Sequence, residues 1–375
     1  MAMADITVRG AGIFGLSIAW TCARRGASVQ VIDPFGAGAG SSGGLVGALA
    51  PHVPENWNPK KQYQLESLLM ANAFWAEVEA TGGVSPGYGR TGRLQPIQDQ
   101  RTLDLARARE GTAQTYWKGE AEWRVCPVSE VGPWVPPSAT GYVIHDTLSA
   151  RMHPRHACAA LVAGLAVMGI TVQAEAPDQG LVVHAKGYAG LLELNRMLAG
   201  PDGPAAGKIV GNGVKGQAAL LRFAEGPEVP QLYADGLHII PHADGTLAIG
   251  STSEREFEDP SSTDAQLDEV IDRARAALPV LHGAEVIERW AGVRPRARSR
   301  APMLGGWPDR RGHFIANGGF KIGFGMAPKL AETMADLLLD GRDDIPEGFR
   351  VEDNFWMTGG GAERWSPISP SAPMT

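Results

Sequence analysis

Cysteine is scarce: three residues in a chain of 375, namely Cys22, Cys126 and Cys158. They stand far apart, without the spacing of a metal-ligand set. That argues against a disulfide framework, a zinc site and an iron–sulfur cluster, and no metal is expected. Sustained basic runs are also missing. With 34 Lys and Arg against 41 Asp and Glu, the net charge is −7, so nucleic acid finds no electrostatic support as a partner. No apolar run reaches the roughly 18 residues of a membrane helix, so no membrane span is expected. The segment Met1–Asp5 has neither a basic n-region nor an apolar h-region, and the expectation is a soluble, cytoplasmic chain.

What the chain has in abundance is glycine, 48 residues in all. The first cluster follows a short β-branched strand, Ile6-Thr-Val8, as Gly10-Ala-Gly12-Ile-Phe-Gly15. A helical pattern over Leu16–Arg25 ends at Gly26, and a second strand, Val29–Ile32, stops at Asp33-Pro34. This is a βαβ unit of about 30 residues with the dinucleotide fingerprint. Gly10 permits the tight turn, Gly12 lets backbone approach a pyrophosphate, and Gly15 lets the helix pack on the strand. The helix N-terminus offers N–H groups and positive dipole to phosphate. Asp33 sits where a carboxylate accepts bonds from ribose hydroxyls, and no base follows it to hold a 2′-phosphate. A second βαβ set does not come next. Gly38-Ala-Gly40-Ser41-Ser42-Gly43-Gly44 follows instead, with Ser41 and Ser42 able to bond a second phosphate. That arrangement favours FAD over NAD, an NAD-dependent dehydrogenase being the alternative.

The length predicts two lobes. Helical periodicity runs over Lys60–Ala80, and another helix opens at Met152-His-Pro154. Ile170–Val172 and Leu181–Ala185 read as later strands of the first parallel sheet. Residues 82–143 are rich in Gly, Pro and Trp with strand pieces such as Gly92–Ile97, and a second lobe begins there. Ala219–Phe223, His238–Ile240 and Thr246–Ile249 are strands. A helix over about 263–278 carries a capping-box spacing at Thr263 and Gln266. Gly312–Ala316 returns to the sheet, and a last helix is expected from about Pro328 to Asp340, ended by Gly341. The fold class is α/β: a discontinuous Rossmann-type FAD-binding domain (1–85, 141–215, 301–345) with an antiparallel β-rich substrate domain (86–140, 216–300). A mobile tail (346–375) follows, in which Trp356 and Trp365 are candidates to dock.

In these residues the chain resembles the D-amino-acid-oxidase-like superfamily of FAD-dependent amine oxidoreductases. The likeness takes in the first glycine motif, Asp33, Ser41-Ser42 and Leu181–Gly187. It continues through Ile240-Pro241, Gly250-Ser-Thr252, Ala291-Gly-Val-Arg-Pro295, Pro302-Met-Leu-Gly305 and Gly318-Gly-Phe-Lys321. The nearest likeness is to glycine oxidases. The oxidase half of the tRNA wobble-uridine modification enzyme is also similar, around Gly47–Pro51 and Gly213–Gln217, but the acidic charge and the lack of a methyltransferase domain disfavour tRNA.

The resemblance implies FAD held by Gly10, Gly12, Ile13, Phe14, Gly15, Asp33, Ser41, Ser42, Gly43, Gly44, Val172, Ala185 and Gly187, and by Gly318, Gly319, Phe320, Lys321, Ile322 and Gly323. It gives Arg294 the role of pairing with a substrate carboxylate, since a planar guanidinium offers two parallel donors; the alternative is a solvated run with Arg296, Arg298 and Arg300. Lys321 falls where relatives carry a second arginine or a carboxylate-binding lysine, or is a plain surface lysine. The N-terminus of the last helix would face the pyrimidine end of the flavin, favouring charge that develops on reduction. The cysteine tether expected near Arg296–Arg298 and the histidine tether near Gly43 are both absent, so FAD is expected to bind non-covalently. A lysine associated with oxygen reduction is replaced by Ala248, which leaves a quinone or carrier protein open as acceptor. His52, after the phosphate loop, is a candidate for deprotonating the substrate ammonium, though a lone histidine is more often structural. The expected reaction is oxidation of the C–N bond of a small amino acid or secondary amine by hydride transfer to the flavin, then imine hydrolysis. The small molecule is the expected partner, and a homo-oligomer is left open.

Overall fold

The computed structural model describes residues 3–198, 208–223 and 228–355. In chain order the first elements are β1 (Ile6–Arg9), α1 (Ile13–Arg24), β2 (Val29–Ile32), β3 (Ala48–Leu49), α2 (Pro59–Gly82) and β4 (Arg93–Pro96). Then come α3 (Gln100–Trp117), β5 (Trp123–Pro127), β6 (Tyr142–Asp146), β7 (Ala150–Arg151), α4 (Pro154–Val167), β8 (Val172–Gln173), β9 (Leu181–His184) and α5 (Gly187–Leu198). The chain continues through β10 (Gly211–Arg222), β11 (Gln231–Ala234), β12 (Leu237–Pro241), β13 (Thr246–Gly250), α6 (Ala265–Ala277) and β14 (Glu285–Ala297). It closes with β15 (Met303–Gly306), β16 (His313–Asn317) and α7 (Gly323–Ala335).

Two sheets carry this α/β fold. A six-stranded sheet runs β15-β16-β9-β1-β2-β8. Its β1 pairs in parallel with β2 and β9 (Val8 opposite Val31 and Val183), and β8 joins β2 in parallel, as the sequence predicts for a Rossmann-type unit. Parallel strands covered on both faces read as unbroken apolar runs; β2 is buried at all four positions. Helix α1 packs on this sheet, α4 and α7 pack on α1, and α2 packs across both, around Trp20, Leu68, Trp75, Leu161 and Met326.

An eight-stranded sheet runs β14-β10-β13-β12-β11-β4-β6-β5. The period of two sorts its side chains. Leu221, Ile239, Leu247 and Ile249 point to α6, meeting Leu267, Val270 and Ile271. Ala218, Leu220, Ile240 and Ala248 point the other way, against Leu45.

Several expectations are corrected. The limit placed at 141 cuts through this sheet, because β6 pairs with β4 and β5, and β10 begins at 211. Helix α3 occupies a stretch read as strand-like pieces. Asp99 caps it by accepting from Thr102 N (2.8 Å), and Leu103, Ala106, Ala113 and Trp117 form its buried stripe. The cap of α6 is Asp264, which accepts from Gln266 N (2.9 Å), rather than Thr263. Helix α7 begins at Gly323, so Pro328 lies inside it. A proline there removes one intrahelical bond; the next amide, Lys329 N–H, donates to Ser67 Oγ on α2 (3.2 Å). The stretch expected to be mobile after 345 is docked as far as Phe355. Leu304 N–H donates to Phe349 O (2.7 Å), Val351 N–H donates to Leu304 O (3.1 Å), and Phe349, Val351 and Phe355 are buried. Trp356 and Trp365 lie outside the described residues. Among the described residues no helix is long and apolar enough to cross a membrane.

Candidate active site

The turn after β1 forces backbone against backbone. Gly10 has φ 111°, and a Cβ there would stand 2.4 Å from the Ala185 carbonyl oxygen; one on Gly15 would stand 1.8 Å from the Gly10 oxygen. No larger residue fits either place. The carboxylate of Asp33 accepts from Ala11 N (2.8 Å) and Phe35 N (2.9 Å), which ties the end of β2 to the turn and leaves lone pairs for further donors. Ser42 Oγ accepts from Ile13 N–H (3.0 Å) at the start of α1, where Gly12 supplies no side-chain cap.

These groups open onto one cavity of ≈ 610 Å³, within the ~300–1,000 Å³ typical of cofactor sites. Its wall passes from Asp33 and Phe35, along Gly12–Phe14 and Ser41–Ser42, to Gly318–Lys321 and Arg294. Gly44, Ala185, Gly187 and Gly323 line it as well. A helix N-terminus and a hydroxyl loop as donors, with an acid at the strand end as acceptor, are the set a dinucleotide needs.

Some sequence-predicted residues do not touch the cavity. Gly10 and Gly15 shape it from behind. Gly43 borders a neighbouring cavity with Arg155 and Cys158. Val172 pairs with Val31 at the sheet edge, and Ile322 caps α7. His52 is off the wall too: its backbone N–H donates to Gln64 Oε1 (2.7 Å), and its Nδ1 meets the same oxygen. Burial holds its pKa below the ordinary value, with Lys60 and Lys61 adding to the effect. The geometry gives His52 a structural partner rather than a reacting one. Ala248 is fully buried, in register with Leu220 and Ile240.

At the other part of the wall, β14 delivers Arg294. Its Nη1 donates to Ser251 Oγ (2.8 Å), and its Nη2 donates to Thr252 O (2.7 Å) and Lys215 O (3.1 Å). The solvated-run alternative fails for this residue, because backbone carbonyls hold its guanidinium in place. Burial lowers its pKa to about 10, opposed by Glu254, so it stays charged at neutral pH. Arg294, Arg296 and Lys321 surround the Phe320 ring, at 5.6, 5.4 and 5.7 Å from its centre. Burial, then Arg294 and Arg296, depress the pKa of Lys321. Among the described residues Asp33 is the sole acid on the wall, and it belongs to the nucleotide side. The end of the wall formed by Arg294 and Lys321 is therefore cationic.

Sequence reading passed over His238, taking it only as part of a strand. It lines the cavity, its ring 4.8 Å from that of Tyr233, and its Nδ1 has no hydrogen-bond partner among the described residues. Burial, with Arg93 and Lys321 nearby, pushes its pKa down to about 3, so the imidazole is neutral. The signal was available: within β12, Leu237 and Ile239 face α6, which turns the alternate residues His238 and Ile240 to the cavity side.

The chain is 27% identical over 91% of its length to the bifunctional protein ThiO/ThiG of Nostoc, and it spans about half of that longer relative (53%). It is 26% identical to the glycine oxidase of Pseudomonas putida, covering 92% of this chain and 98% of that one. Among solved structures, glycine oxidase from Geobacillus kaustophilus superposes with a TM-score of 0.77 at 21% identity, over 96% of this chain and 99% of that one. Iminodiacetate oxidase from Chelativorans sp. BNC1 also gives 0.77 at 21% identity, over 92% and 98%. The model of one family, the FAD dependent oxidoreductases (DAO), matches residues 5–337, and the cavity built around the β1–α1 turn offers the groups that cofactor needs: the chain belongs to that family, with FAD as its cofactor.

Proposed function

We propose that this protein oxidises the C–N bond of a small amino acid or N-substituted amino acid to an imine, which water hydrolyses to an oxo acid and ammonia or an amine. The observation that carries this reading is the cationic wall. Arg294 and Lys321 face the same cavity as the dinucleotide cradle, and among the described residues no acid lines the wall on their side. The names of the relatives, glycine oxidase and iminodiacetate oxidase, support substrates that bear a carboxylate and a nearby nitrogen.

The six-stranded sheet holds FAD at the β1–α1 turn, Asp33 and Ser41-Ser42; the eight-stranded sheet supplies the substrate wall. Bound there, FAD supplies the two-electron acceptor. Arg294 fixes the carboxylate. Its Nη1 donates to Ser251 Oγ, which leaves the Ser251 hydroxyl proton to point at a substrate oxygen. Lys321 adds a second positive charge without the rigidity of a fork. The neutral His238 lines the cavity and adds no charge there, while the positive charges of Arg294 and Lys321 favour the amine with a free lone pair over the ammonium. The Phe320 ring, 5.6 Å from the Arg294 guanidinium, closes one side of the carboxylate site.

The test is anaerobic bleaching of the flavin by a panel of glycine, N-alkylglycines, larger amino acids of either hand and simple amines. Bleaching by carboxylate-bearing amines and not by their decarboxylated counterparts is expected; equal bleaching by both would overturn the assignment of Arg294 and Lys321.

A further inference from the structure

Away from the cavity, three donor-bearing side chains converge where the two sheets meet. His153 caps the N-terminus of α4, His156 lies in its first turn, and Asp244 stands in the turn between β12 and β13. Ligand atoms of all three lie within 4.8 Å of one another. A fourth imidazole, His242 at the end of β12, has its ring 4.5 Å from that of His153. Nothing in the dinucleotide or substrate chemistry uses this cluster.

Its hydrogen bonding is incomplete. His153 is 6% exposed and His242 4%, yet His153 Nδ1 and His242 Nε2 have no hydrogen-bond partner among the described residues. A buried polar atom left unsatisfied costs about 1–3 kcal/mol, so such an atom calls for a ligand. Asp244 commits Oδ1 to Thr246 N (3.0 Å) and Thr246 Oγ1 (2.7 Å), which orients the carboxylate and leaves Oδ2 available. His242 Nδ1 lies 3.1 Å from the same Thr246 hydroxyl. The hydroxyl thus braces both an imidazole and the carboxylate, in the manner of outer-shell groups around a metal.

We propose that His153, His156 and Asp244 form a binding site for a divalent transition-metal ion of the zinc type, with His242 beside it as a fourth imidazole. Two imidazoles and one carboxylate are a ligand set such ions accept, with a position left open to water or to His242. Donors around a tetrahedral zinc ion, at ~2.0–2.2 Å from it, lie roughly 3.4 Å apart, so from separations within 4.8 Å the cluster needs a contraction of up to about 1.4 Å. The rings of His153 and His156 are stacked at 3.9 Å with planes 14° apart. An ion lies in the plane of each ring that binds it, so the half-exposed His156 turns outward on binding while the buried His153 stays. Arg155, between His153 and His156 in the chain, is the cation nearest to the ligands in sequence. The Arg155 charge is itself paired with Glu288 (2.6 Å), which reduces its repulsion of a cation. An anion is disfavoured here by neutral imidazoles and the Asp244 carboxylate. Because α4 packs on α1, the helix that covers the six-stranded sheet, while Asp244 lies in a turn of the eight-stranded one, a bound ion fastens the two parts together.

The test uses the FAD-loaded full chain, stripped with a chelator and titrated with zinc chloride against a chromophoric competitor, with thermal unfolding followed in parallel. One equivalent per chain and a higher melting temperature with zinc are expected for the unsubstituted protein. His156→Ala and Asp244→Asn, both at the accessible rim, should bind zinc at least tenfold more weakly and lose the thermal gain while keeping flavin absorbance. His282→Ala, an exposed histidine elsewhere, should change neither. No zinc uptake by the unsubstituted chain, or the same affinity in His156→Ala and Asp244→Asn as in the unsubstituted chain, would overturn the proposal.

Discussion

The two ends of the cavity are built in opposite ways. At the nucleotide end the wall is backbone: a glycine turn, helix N–H groups, and an acid and a hydroxyl that fasten loops to that turn. At the other end the wall is side chains, sent in from β12, β14 and the 318–321 loop, with Arg294 held by carbonyls of two further segments, at Lys215 and Thr252. A site made of backbone depends on which residues are small enough. A site made of side chains depends on charge and on what braces it. Substitutions should separate the two.

The largest effect is expected at Gly10. A valine there meets the Ala185 carbonyl and a positive φ at once, so Gly10→Val should purify without visible flavin absorbance, or not fold. Retention of full flavin would show that the turn is not the cradle. Next is Arg294→Ala, which should keep flavin yet lose on the order of a hundredfold or more in kcat/KM for a carboxylate-bearing amine, the worth of about 3 kcal/mol in charge-assisted bonds. Because this guanidinium also braces Ser251 and Thr252, Arg294→Lys should recover part of the loss; an amine without a carboxylate should be nearly indifferent to either change.

Lys321 gives a smaller effect, read in pH. Its pKa is held below the usual lysine value of about 10.4, so its charge is present at low pH and disappears earlier than usual as pH rises. The alkaline fall in kcat/KM should therefore set in below the ordinary lysine range. Lys321→Arg, charged throughout, should push that fall to higher pH; an unmoved profile would remove Lys321 from substrate binding. The smallest effect belongs to His52→Ala, with kcat within about twofold of the unsubstituted protein, because the imidazole is paired with Gln64 away from the wall. A large loss of kcat with stability intact would return His52 to the reaction.

The Rossmann-type strand–turn–helix was legible because each signal is local: a β-branched strand, glycines at fixed spacing and an acid at the next strand end lie within one short stretch. Helix α3 was missed since its buried stripe is thin, four residues set among charged and polar ones, and the surrounding Gly, Pro and Trp suggested otherwise. The docked stretch up to Phe355 was missed for a different reason. Its Pro, Gly and charged residues read as solvated, while three apolar side chains find a groove beside β15 that no local pattern announces. His238 was hidden by its neighbours, since a strand residue's face is fixed only when the partner layer, here α6, is known.

By itself the sequence determined the phosphate-binding turn and the direction of the parallel sheet, because steric limits on φ and the period of side chains act within a few residues. Only the tertiary structure decided that Arg294 and Lys321 share one ring, that His52 turns to Gln64, and that His153, His156 and Asp244 meet. Those relations join segments far apart in the chain, and their geometry is set by how two sheets pack rather than by any residue's own preference.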